Sequence, residues 1–309
     1  MKTHNKAIKV FVLAIVLSIA TIAHADLITF DPTGTAGPGG DIANIALFDW
    51  APGSALAIGG NPVGGLFTGA NITVLYQANL TAALGGGANL FNNGAGGNYF
   101  TAVAGFPEVA TILGPGVASF ALGAGPSFFN LYATNASGID STGAGFTSAT
   151  LIMSATVNSM PSSFFGVNFN LPPVQLDQSP EGIDTWPGVL SVRGAGATDL
   201  SALVTWVDPN YFPSLDPGLI ITLSMFNTSQ IVPYNQVDPS HFMSIDGITS
   251  ANFASLIGPV NGALGSGPDF LFQADANQSF VTVPEPSTIM LLGAGLFGLG
   301  IFSRKKIKK

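Results

Sequence analysis

Apolar and polar residues alternate with period two along several stretches of the chain. Ile72, Val74, Tyr76, Ala78 and Leu80 fall on one side of such a pattern, with Thr73, Gln77 and Asn79 on the other. Leu200, Ala202, Val204 and Trp206 repeat it against Ser201 and Thr205, and Leu219, Ile221, Leu223 and Met225 repeat it against Thr222 and Ser224. Residues 147–157, rich in Thr, Val and Ile, keep a similar rhythm. Successive side chains of a strand point to opposite faces, so each stretch predicts a half-buried strand with its apolar series, Trp206 included, turned to a core. Between them stand turn-forming clusters at 31–34, 85–87, 92–98 and 216–218, built from Asp, Asn, Pro and Gly. No stretch shows the period of an amphipathic helix. Many short strands separated by Gly, Pro and Asn predict an all-β body, a β-sandwich or jelly-roll-like fold. The segment 161–188 holds Pro161, Pro172, Pro173, Pro180 and Pro187. It reads as a long crossover within one sandwich or a linker between two, and one domain is favoured.

Two continuous apolar runs, at 10–22 and 289–302, break the alternation. Lys2, Lys6 and Lys9 precede the first, and Ala23-His24-Ala25 closes it with small residues at the two positions a signal peptidase must accommodate. Residues 1–25 therefore read as a secretory signal, with cleavage after Ala25 and Asp26 as the mature N-terminus. The second run follows Pro284-Glu285-Pro286 and is followed by Arg304, Lys305, Lys306, Lys308 and Lys309. Prolines on both sides of Glu285 keep that segment extended and open to an enzyme. Residues 287–303 make a marginal transmembrane helix, since a helix rising about 1.5 Å per residue needs about 20 residues to cross a hydrocarbon core of about 30 Å. The basic cluster holds the C-terminus on the cytoplasmic side and leaves the body outside the inner membrane.

Composition sharpens this division into 1–25, 26–283 and 284–309. Hydrophobic residues make up 47 % of the 309 positions and charged residues only 8 %, against about 25 % charged in ordinary soluble domains. Sixteen of the 17 acidic residues lie between 26 and 283 beside a single cation, Arg193, which leaves that body near −15. Such a surface excludes nucleic-acid binding, which needs cations to displace counterions from phosphate. There is no cysteine, hence no disulfide framework and no thiolate zinc site.

The order of Pro-Glu-Pro, short Gly-rich apolar helix and basic terminus over 283–309 resembles the PEP-CTERM sorting signal of Gram-negative bacteria. The resemblance implies recognition through Pro284, Glu285 and Pro286 by an exosortase, a membrane enzyme proposed to cut such tails. It also implies transient anchoring in the inner membrane, followed by delivery to the cell surface or medium. Proteins with this tail are commonly linked to extracellular polysaccharide, biofilm and floc formation. The stretches 31–34 and 47–56 are similar to bodies that carry such tails in floc-forming bacteria.

For the body itself, the expectation is a non-enzymatic, structural or adhesive matrix protein. Signal removal leaves His241 as the last histidine, beside Pro239 and near Asp246, a poor basis for a Ser-His-Asp triad. A carboxylate-pair glycan hydrolase would draw on Glu108, Glu181 and Asp184, residues expected to be surface-solvated. A carbohydrate- or calcium-binding module is the other alternative. Asp208, Asp216 and Asp238 each precede proline in a tight turn and offer the hard oxygen ligands calcium takes, although Asp-Pro is also an ordinary turn opening. No organic cofactor motif is present. Of Trp50, Trp186 and Trp206, the loop residue Trp186 is the favoured platform for stacking on a sugar ring.

Overall fold

The computed structural model describes residues 26–35, 40–63, 65–139, 143–147, 150–176, 189–229 and 267–281. The proposed signal, tail, transmembrane helix 287–303 and Pro284-Glu285-Pro286 lie outside them, as do Trp186, Glu181, Asp184, Asp238, His241 and Asp246. Among the described residues no helix is long and apolar enough to cross a membrane.

In chain order the strands are β1 (Ile28–Phe30), β2 (Ile42–Ile45), β3 (Leu47–Ile58), β4 (Asn71–Gly85), β5 (Ala88–Asn92), β6 (Tyr99–Gly114) and β7 (Val117–Leu122). They continue with β8 (Phe128–Thr134), β9 (Thr150–Val167), β10 (Val174–Gln175), β11 (Leu190–Ser191), β12 (Gly194–Val207), β13 (Ile220–Ser229) and β14 (Phe270–Val281). Ten of them form one sheet in the order β5-β4-β3-β14-β13-β12-β9-β7-β6-β8, with β1–β2 and β10–β11 as separate pairs. The all-β expectation is met, and the four alternating stretches lie on β4, β9, β12 and β13. Additional pairings of β4 with β6 and of β8 with β9 bring the hydrogen-bonded ladder back on itself. Closure of this kind removes the exposed sheet edges that a sandwich must otherwise protect.

Long β6 makes closure possible. One edge pairs with β4 through Thr101–Val109. The other is shared by two short strands, β8 against Tyr99–Gly105 and β7 against Glu108–Gly114. Pro107 falls between the two partners. In an antiparallel strand a residue's N–H and C=O face the same neighbour, and the Pro107 carbonyl accepts from the Gly123 N–H at 2.9 Å. The missing proline N–H therefore faces the break between β8 and β7, where the ladder asks for no donor.

The interior is filled from alternate positions. Phe30, Phe48, Phe91, Phe100 and Phe212 meet near one end with ring centroids 5.0–6.3 Å apart, and Phe165, Phe270 and Phe272 form a second group. Small Ala55, Ala78, Ala102, Ala202, Ala274 and Ala276 belong to the same buried core. Three departures from the sequence reading stand out. On β4 both faces are buried: Leu75 and Gln77 are as inaccessible as Val74 and Tyr76, and the rows Leu75–Leu56–Leu271 and Gln77–Ser54–Gln273 continue that second buried face across β3 and β14. Pro161 does not open a crossover but lies inside β9, where Met160 and Pro161 bulge between Ser159 and Ser162 opposite β12. Trp206 is 43 % exposed rather than in the core. A register irregularity between Val204 and Trp206 shifts the alternation by one, so that Val207 takes the buried position instead.

Candidate functional site

Strand β6 places Phe100, Ala102, Ala104, Phe106, Glu108 and Ala110 on one face, and all six are buried. Glu108 is thus a carboxyl group in an apolar row. The expectation of a solvated surface residue is corrected here. Even positions of this strand point to the interior, and Pro107 holds the register. Glu108 Oε1 accepts a long 3.3 Å hydrogen bond from the Ser163 hydroxyl on β9. Ser163 lies 2.9 Å from the Thr198 hydroxyl on β12, which accepts from the Asn227 amide on β13 at 2.9 Å. Since Ser163 spends its proton on Glu108, Thr198 must donate to Ser163, and every donor in the chain runs toward the carboxyl group. Among the described residues no cation lines the cavity beside it. Burial pushes the Glu108 pKa up to about 8, opposed only in part by Ser163.

Glu108, Ser163, Thr198 and Asn227 line one side of a cavity with about 40 Å³ of free space. Phe106, Phe165, Met225, Phe270 and Phe272 are among its apolar lining, with Pro62 and Phe120 partly exposed and Phe164 exposed. A water needs roughly 10–15 Å³ of such space, so a few waters or one small group fits. Gly196 on β12 allows the walls to close: a Cβ there would overlap the Phe164 carbonyl. A convergent set of polar groups in an apolar pocket is a binding-site arrangement. A glycosidase pair would need a second carboxyl group about 5–10 Å away, and among the described residues Glu108 is the one carboxylate in the lining.

The outer face of the same strands carries a different surface. Phe164, Ala197 and Phe226 lie side by side on β9, β12 and β13, with the two rings 50 % and 56 % exposed. Strands are about 4.8 Å apart, so the rings stand roughly 10 Å apart over a small residue. The next row is Ser162, Asp199 and Ser224. Both serine hydroxyls donate to Asp199, each at 2.8 Å, which fixes the carboxylate between the rings and the rest of the face.

The structure disperses the other sequence candidates. Trp50 is buried and donates its indole N–H to Gln278 at 3.2 Å, so it is no sugar platform. Asp208 closes its own turn, accepting from the Asn210 N–H at 2.9 Å, and that turn delivers buried Phe212 to the core. Asp216 is exposed. No group of three or more His, Cys, Asp or Glu side chains suited to a metal occurs among the described residues. Glu108 lies in one period-two series with Phe100, Ala102, Ala104 and Phe106, whereas Phe164 beside Phe165 and Phe226 beside Met225 show no such signal, and what makes each of them a site is the register between strands distant in sequence.

Residues 282–306 match the family model described as the PEP-CTERM protein-sorting motif. Neither a curated protein nor a solved structure matches the chain.

Proposed function

From the premise that the chain is a PEP-CTERM protein, exported and sorted by exosortase, we propose that it acts without catalysis as an adhesive component of the extracellular polysaccharide matrix. In this reading the signal at 1–25 carries it through the inner membrane, the tail holds it there for exosortase, and the β body is the part that works outside the cell.

The observation that carries the adhesive reading is the outer row of Phe164, Ala197 and Phe226 beside Ser162–Asp199–Ser224. Exposed rings set apart over alanine offer flat apolar faces to the C–H faces of linked sugars, a recognised use of exposed apolar patches. The serine-held Asp199 offers acceptors for hydroxyl groups. A body near −15 with one cation favours a neutral glycan over an acidic one. Retention of the exported protein on neutral matrix polysaccharide tests this. Phe164→Ala with Phe226→Ala should lower retention about tenfold, the loss of about 1.4 kcal/mol, with melting unchanged. Undiminished retention contradicts the proposal.

A further inference from the structure

The cavity shares Phe164 with the outer row, but its polar groups are others and its chemistry selects a different kind of group. We propose that it is a binding site for a small neutral carbonyl group, whose oxygen accepts a hydrogen bond from the Glu108 carboxyl group and whose short apolar end packs against Phe106, Phe165, Met225, Phe270 and Phe272. The donor chain from Asn227 through Thr198 and Ser163 ends on Oε1. That oxygen is fixed as the acceptor. The proton of the neutral carboxyl group therefore belongs on Oε2, the oxygen left to meet a ligand.

A carboxyl O–H on the cavity side is a donor that a ligand carbonyl can accept. An amine would need Glu108 ionised in a lining with no other charged side chain, a pairing whose desolvation is expensive. An alkane would leave the donor unmatched. The carboxylates next to the lining residues Thr198 and Phe270 do not share the cavity: Asp199 faces outward on β12, and Asp269, before β14, accepts from the Gly59 N–H. Among the described residues Glu108 is the single titratable side chain in the lining, so binding should follow its protonation. The space suits an acetyl-sized group, whether from a free small molecule or an acyl substituent on a glycan.

The exported protein as purified from its host, methyl-labelled at methionine, gives the test, because Met225 lines the cavity. Titration with 2-butanone at pH 6 should shift the Met225 methyl resonance, and its isostere 2-methyl-1-butene should do so at least tenfold more weakly. Above pH 8 the apparent Kd for the ketone should rise about tenfold per pH unit. Glu108→Gln, which keeps a donor that does not titrate, should bind equally at pH 6 and pH 10, and Glu108→Leu should lose the preference for the ketone. A parallel titration with an N-acetylated chito-oligosaccharide identifies the source: a Met225 shift supports a glycan substituent, and a shift with the ketone alone supports a free small molecule. No shift with either probe, equal response to the hydrocarbon, or binding that strengthens above pH 8 overturns the proposal.

Discussion

Glu108 shows how one residue ties stability to pH in a protein that is otherwise packed from Phe and Ala. Its pKa is raised by burial from 4.5 to about 8, so the folded state holds a proton that the unfolded chain releases. Where the folded state binds more protons, stability falls as pH rises. The contribution is complete below the unfolded value and is lost as pH climbs through about 8. Glu108→Gln should therefore flatten the dependence of melting temperature on pH between 5 and 9 and stabilise the protein at the alkaline end by a few kcal/mol. A variant with the same alkaline decline as the parent would show that Glu108 is not the group responsible. The residue was partly legible. Phe100, Ala102, Ala104, Phe106 and Ala110 mark the inward series that also contains Glu108, but a charged residue interrupts an apolar pattern and reads as surface when taken alone. Trp206 fails in the opposite sense. Its alternation with Val204 is correct until the irregularity in register, which no property of Trp206 or Val207 announces.

At the scale of elements, alternation located the strands on β4, β9, β12 and β13, because period-two patterning reports burial of one face directly. It could not report the second buried face of β4 or the passage of β9 through Pro161. Both depend on what lies beside the strand. Closure of the ladder was likewise out of reach, since the pairing of Thr73 with Pro107 and the sharing of the β6 edge by β7 and β8 are long-range facts. The contact of β9 with β12 is where this geometry is least forgiving. Gly196 sits opposite Phe165, and a methyl group there would overlap the Phe164 carbonyl. Gly196→Ala should cost about 1–3 kcal/mol, in the range for overpacking. Gly86→Ala, in the open β4–β5 turn where φ is 58°, should cost only about 1 kcal/mol, from backbone strain. Denaturant melts of the two variants check the order, and equal losses would contradict the close approach.

Over the whole molecule, charge and sorting set the behaviour. A body near −15 with one cation carries repulsion that is greatest when the chain is compact. Sodium chloride should raise the melting temperature of the exported protein up to physiological ionic strength, where the Debye length is about 8 Å. A temperature that does not move with salt would mean that the acidic groups are too far apart to matter. The body is released from the membrane only if the tail does what its motif implies, and fractionation of cells with and without exosortase tests that most directly. In the parent strain the protein should leave the membrane fraction as a form shortened at its C-terminus. Without exosortase it should remain in the membrane at full tail length. Equal release of the same species from both strains would contradict the account.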